Sequence, residues 1–306
     1  MAISKLKKIR RWITRILLFL LLFPIGTLFI VRTAGLFKMR KADGEIMGFL
    51  RQHHVSGEID KISFHGRRIV YLKTSAGPKK KEAFLFVHGS PGSMDAFLDY
   101  MVDTNLLSHA DLITYDRPGF GNSGFGRAMP SLMMQARVAS ALMDSLGYER
   151  YWLAGHSYGA PIIVQAAMDH PRHIGGICLI AGSVSPDLEP KAAWRRWIDL
   201  PLVRQILPIS MRVSNEELIP LKQDLVMIED DWRKIKMPVS LIQGKKDVLV
   251  PFANLAYAKE KLTQSDTVLV KIFEEENHFI LWTRRGVVVE EMLKLMQSTS
   301  NNTRDQ

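Results

Sequence analysis

The sequence predicts an α/β protein with a mostly parallel central sheet and helices on both faces. Three observations predict it. Short runs rich in Val, Ile, Leu and aromatic residues recur along the body of the 306-residue chain, each bounded by Gly, Pro or Asp. Strands buried on both faces have this character. Amphipathic stretches of helical period lie between the runs. The two kinds of segment alternate, an order that favours parallel strands joined by helical crossovers.

The elements follow in order. EIDKISF and RRIVYLKT, starting at residue 58 and split by His65-Gly66, read as a β-hairpin. The runs AFLFVHG (83–89), DLITYD (111–116), RYWLAGH (150–156), GGICLIAG (175–182), PVSLIQG (238–244) and TVLVKIF (267–273) read as strands. Helices are expected over 129–147, which ends at Gly147, and over 157–170, which ends before Pro171. Residues 255–262 and 287–296 are also amphipathic. One interval breaks the rhythm. Residues 184–237 contain Trp194, Trp197 and Trp232, several Pro, and the helix-like pieces KAAWRRWI and NEELIPLKQDLVMI. That is too long for a plain crossover and too apolar for a linker, so it reads as an inserted, mostly helical cap. The domain it interrupts is expected over 42–297, and residues 298–306 read as a disordered polar tail.

The net charge of +10 is not spread over the chain. Residues 1–41 hold ten Lys or Arg and no acid, so the remaining 31 basic residues face all 31 acids and the body is formally neutral. A nucleic-acid partner would need a basic patch on the folded domain, and none is evident. Six of the basic residues, from Lys5 to Arg15, precede ILLFLLLFPIGTLFIV (16–31), which carries no charge. A helix over 12–31 is ~30 Å long and matches a bilayer core. The expectation is an uncleaved transmembrane signal anchor over 12–31, within a basic segment 1–41, that meets the membrane and its anionic headgroups. A cleaved signal peptide fits less well, because VRTAGLF offers no clean A-x-A site. A buried core helix is disfavoured by the charged flank. Six positive charges before the span against four after it favour a cytoplasmic N-terminus and an exported body. The one cysteine, Cys178, sits in an apolar run and reads as a buried hydrophobe.

Residues 155–159 read Gly-His-Ser-Tyr-Gly, a G-x-S-x-G pattern that a chain of this length meets by chance roughly once in ten. A serine hydroxyl needs a base, an acid to orient the base, and donors for an oxyanion before it can act as a nucleophile. Ser157 follows a strand and opens a helix, where such a nucleophile sits in a tight turn. Of the histidines after it, His170 and His173 lie at the far end of that helix, ~20 Å away. His278, beyond the last strand, remains as the base. Asp247, in QGKKDVLVP, follows a strand and is the candidate acid, though it also suits a helix N-cap or an exposed loop. Asp187 is a rival. Each candidate follows a different strand, at the edge where open α/β sheets place their sites. The loop His88-Gly89-Ser90-Pro91-Gly92-Ser93 could present the Ser90 N–H to an oxyanion, with the Tyr158 N–H as second donor. The loop equally suits a strand-to-helix turn capped by Ser93, and both can hold together. His88 and His156 read as buried, hydrogen-bonded residues. No His/Cys/Asp group has zinc-ligand spacing, no glycine-rich nucleotide fingerprint occurs, and no cofactor is called for.

Together HGSPG, YDRPGFGNS, GHSYG, GKKDVLVP and the ENH histidine resemble the motifs of the α/β-hydrolase superfamily, in that order, over residues 60 to 297. The resemblance implies a hydrolase with Ser157 as nucleophile, His278 as base and Asp247 as orienting acid, and a cap at 184–237. Serine at the nucleophile departs from the haloalkane dehalogenase and epoxide hydrolase branches. The expected substrate is a carboxylic ester or lipid-like acyl compound. A carbon–carbon bond hydrolase, an aminopeptidase, a cofactor-free haloperoxidase-like enzyme and a ligand-binding protein on the same fold are the alternatives.

Overall fold

In the computed structural model the backbone is described for residues 2–33, 39–190, 195–198 and 200–302. After a long helix α1 (Ala2–Thr33) and a short helix α2 (Asp43–Gln52), the alternating runs become β1 (Ser56–Phe64) and β2 (Arg67–Ser75), an antiparallel hairpin. β3 (Glu82–Val87) is followed by α3 (Thr104–His109), β4 (Asp111–Tyr115) and α4 (Leu132–Leu146). β5 (Arg150–His156), α5 (Gly159–Asp169) and β6 (Ile174–Ile180) come next. The segment between β6 and the next strand carries α6 (Arg195–Ile198), α7 (Pro201–Ile206), α8 (Ile209–Leu218) and α9 (Leu221–Ile228). β7 (Val239–Gly244), α10 (Ala253–Lys261), β8 (Val268–Phe273), α11 (Ile280–Thr283) and α12 (Arg285–Asn302) complete the described chain. The strands form one sheet in the order β1-β2-β4-β3-β5-β6-β7-β8, parallel from β4 to β8. This is the α/β-hydrolase fold.

Burial follows hydrophobic pattern. The central strands β4, β6 and β7 are buried at every position, including the polar residues Asp111, Thr114, Ser240 and Gln243 among them. The edge strands β1 and β8 alternate between partly buried and exposed. Because the central strands have two apolar faces, the core splits into two layers. One lies between the sheet and α4, α5 and α9, with Trp232. The other lies between the sheet and α2, α3 and α12. Local signals fix the ends of α4. The Ser131 hydroxyl accepts from the Met134 N–H, and Gly147 closes the helix at φ 62°, a left-handed conformation that glycine adopts without strain.

Two expectations meet a different outcome. The transmembrane span over 12–31 is not found. Residues of α1 form a continuous helix, but among the described residues no helix is long and apolar enough to cross a membrane. Arg10, Arg11 and Arg15 load the first half of the helix with charge, and the uncharged run 16–31 spans only ~24 Å against a hydrocarbon core of ~30 Å. The tail read as disordered from 298 instead continues α12 to Asn302, since no Gly or Pro follows Gly286 to stop it; residues 303–306 lie outside the described residues. Trp194 of the cap also lies outside them.

Candidate active site

Ser157 stands between β5 and α5 with φ +56°, a region that few residues other than glycine enter. Its N–H donates to the Ile180 carbonyl (3.0 Å), and its carbonyl accepts from Ser183 (3.3 Å) and Ala160 (3.1 Å). These bonds hold the strained turn. The flanking glycines are required by space. A Cβ at Gly155 would lie 2.5 Å from the Gly159 carbonyl oxygen, and one at Gly159 would lie 2.1 Å from that of Val87. The pattern G-x-S-x-G is therefore the sequence trace of α5 pressed at its start against both β5 and β3.

Asp247 lies in the turn after β7, its side chain fully buried. Oδ1 accepts from the N–H groups of Leu249 (2.9 Å) and Val250 (2.8 Å). Oδ2 accepts from Gln243 Nε2 (3.1 Å) and from His278 Nδ1 (2.8 Å). The last bond makes Nδ1 the donor and turns Nε2 of His278 outward. Asp187, the rival acid, is exposed and lies 3.8 Å from Lys222. Ser157 and His278 line one cavity of about 460 Å³. No hydrogen bond joins the Ser157 hydroxyl to His278 among the described residues; catalytic bonds of this kind often tighten only around substrate. Ser90 faces the same cavity, and the N–H groups of Ser90 and Tyr158 are donated to no protein acceptor among the described residues.

The two buried histidines explain the site's rigidity. His88 Nδ1–H donates to the Gly89 carbonyl (2.7 Å), and Nε2 accepts from the Arg117 N–H (3.0 Å). His156 Nε2–H donates to the carbonyl of His278 (3.1 Å), tying the His278 backbone to the strand that ends beside Ser157. Burial lowers His156 to about 3, and burial together with the Arg117 charge lowers His88 well below its usual value. Both are neutral in the folded chain near pH 7. An unfolded imidazole protonates near pH ~6.5, so the unfolded state binds more protons as pH falls. The stabilisation is complete above that pH and is lost as pH falls toward 3. Replacing His156 by Gln removes one such proton. The stability gap between wild type and His156→Gln, from urea midpoints, should narrow by ~2 kcal/mol between pH 6.5 and 5. A gap constant with pH would refute it.

Several residues of the site were not singled out from sequence. Gln243 steadies Asp247. Arg117, in the YDRPGFG turn, donates to the carbonyls of His88 (2.9 Å) and Gly89 (2.9 Å). It also makes two bonds to Glu217 of the cap helix α8 (2.9 and 3.0 Å), and Ser90 Oγ donates to the same carboxylate (2.9 Å). Nothing in a single sequence pairs two residues a hundred positions apart, although a buried arginine demands some acid. Cys178 is buried and pushed up to about 12, mainly by that burial. Among the described residues no group of His, Cys, Asp or Glu could hold a metal ion.

Comparison with known proteins bears on this geometry. The family model described as the alpha/beta hydrolase fold matches residues 82–202. The dihydrolipoyllysine-residue acetyltransferase component of the acetoin cleaving system of Cupriavidus necator is 30% identical over 116 residues, 38% of this chain and 30% of that protein. A 2-hydroxy-6-oxononadienedioate/2-hydroxy-6-oxononatrienedioate hydrolase of Paraburkholderia phymatum is 30% identical over 118 residues, 38% of this chain and 40% of that protein. The chain thus spans less than half the length of these curated relatives. A crystal structure of a membrane phospholipase A, a bacterial virulence factor, superposes with a TM-score of 0.63 at 19% identity, covering 95% of this chain and 99% of that one. At that identity the likeness is one of fold.

Proposed function

We propose, from the chain's place in the α/β-hydrolase superfamily, that this hydrolase cleaves a carboxylic ester or related acyl substrate through Ser157, His278 and Asp247. The observation that carries the reading is the Asp247–His278 bond of 2.8 Å at the wall of the cavity that Ser157 also lines. Asp247 holds Nδ1 protonated, which leaves Nε2 free to take a proton. His278 removes the Ser157 proton as Oγ bonds the substrate carbonyl carbon, and the carbonyl electrons move onto oxygen. The N–H groups of Ser90 and Tyr158 hold that oxyanion, the latter at the N-terminus of α5. Collapse expels the alcohol, which takes the proton back from His278. Water, deprotonated by the same histidine, then releases the acid and restores Ser157. Met39, Leu249, Phe279 and Trp282 give the cavity an apolar character that suits an acyl group.

The test is covalent labelling. A fluorophosphonate should modify the folded chain, and peptide mapping should place the adduct on Ser157. A folded protein that resists labelling would favour the ligand-binding alternative.

For location, the reading is attachment to a membrane through residues 1–41. The six basic residues from Lys5 to Arg15 suit anionic headgroups, and exposed Trp12, Leu17, Phe19, Leu20 and Phe23 suit the acyl boundary. Co-sedimentation with sealed vesicles of anionic lipid tests the attachment, and a chain that stays in the supernatant would refute it.

A further inference from the structure

The residues just ahead of the catalytic domain form part of the active-site cavity. Met39 lines it together with Ser157 and His278, six positions after the end of α1. Several contacts fasten this segment. The Ser93 hydroxyl donates to the Met39 carbonyl, and the Lys41 N–H donates to Asp95. The Arg40 side chain, only 1% exposed, sets Nε 2.7 Å from the buried Asp116 carboxylate and Nη2 2.6 Å from Asp43. Nη2 also lies 3.8 Å from the sulfur of Met94. All the partners except Asp43 belong to the body of the domain, and Ser93 and Asp95 also line the cavity. Met39 itself has φ +55°, which a side chain of this kind adopts only when its surroundings dictate it.

We propose that residues 39–43 are a strap that closes one side of the substrate cavity, and that Met39 determines specificity for the apolar acyl group. The inference rests on the serine hydrolase reading and adds to it the chain element that reads the acyl group. The strap faces an apolar rim. Leu249, Phe279 and Trp282 are exposed large hydrophobic residues on the same cavity, with exposures of 63%, 50% and 44%. A thioether is unbranched and adaptable, so Met39 can lie along an alkyl chain without fixing its exact path. A bulkier ring on the same backbone would occupy space that a long chain needs. A short acyl group, seated near Ser157, would not reach it. The position is one of discrimination between chains rather than of chemistry.

The experiment compares ethyl and octyl fluorophosphonates on the full-length chain in detergent, reading the second-order rate of labelling at Ser157. In Met39→Trp the octyl-to-ethyl rate ratio should fall tenfold or more. In Arg40→Ala, where the strap loses its buried ion pair, the ratio should also fall. Met133→Ala, an exposed methionine on α4, serves as the control and should keep the wild-type ratio. A wild-type ratio in Met39→Trp, with labelling intact, overturns the strap and leaves the Ser157 reading standing. Failure of the wild-type chain to label with either reagent overturns both.

Discussion

Replacing Ser157 by Ala is expected to lower kcat for an acyl ester by about 10⁶-fold while leaving the fold intact. Among the described residues the Ser157 side chain makes no hydrogen bond on which the turn depends. The turn is held by its backbone, through the bonds to Ile180, Ser183 and Ala160. Alanine adds no atom, and the left-handed φ is a strain that serine already bears. Thermal unfolding should therefore move little. Asp247→Asn should behave differently, with a loss of about 10⁴-fold. An amide nitrogen in place of Oδ2 would face the Nδ1–H of His278, so the imidazole would shift its proton or turn away. The amide oxygen of the variant can still accept from Leu249 and Val250, which keeps the loop. The two variants are measured by ester turnover beside circular dichroism. Ester turnover in Ser157→Ala within tenfold of wild type would remove Ser157 from the chemistry.

Much of this site was legible because its parts are local. An elbow needs two glycines around one residue, and the structure gives the reason in two impossible Cβ positions. Asp247 and His278 were legible by their placement after successive strands, since parallel strands deliver their C-terminal ends to one edge. The central strands were legible for a similar reason. A short run dominated by Val, Ile, Leu and aromatic residues hides them only if both its faces are buried. The contribution of Met39 was hidden, because the charge and apolar run of residues 1–41 read as a segment apart from the domain. α2 was hidden too, being a ten-residue helix with only Ile46 and Leu50 buried. The membrane expectation came from hydropathy over 16–31, and the described residues of α1 do not sustain it. Long-range polar pairs were the least legible. The cap's contact with the Ser90 loop runs through Glu217, which in sequence is one of two adjacent acids on an amphipathic helix.

Glu217→Ala is expected to destabilise the protein by about 3–5 kcal/mol. The carboxylate and the Arg117 guanidinium are both fully buried, and Gln135 Nε2 donates to Glu217 Oε1 (2.6 Å) as well. Arg117 Nη1 also reaches Gln135 Oε1 (2.7 Å). Burial raises the Glu217 carboxyl while the Arg117 charge pulls it back, and burial wins. Such a pair contributes little net stability while whole, because both ions left water to form it. Removal of one partner is what costs, since an arginine inside the protein is left without its counter-charge. The bonds from Arg117 to the His88 and Gly89 carbonyls keep the guanidinium in place. For a domain of this size the loss corresponds to a fall in Tm on the order of 10 °C. The pair joins α8 of the cap to the turn after β4, so the cap should loosen before the sheet does. Hydrogen exchange would then rise first in α8 and α9, ahead of β5 and β6. A double-mutant cycle with Arg117→Met measures the coupling directly. A coupling near zero, with Tm unchanged in Glu217→Ala, would mean that the cap is held by its apolar contacts alone.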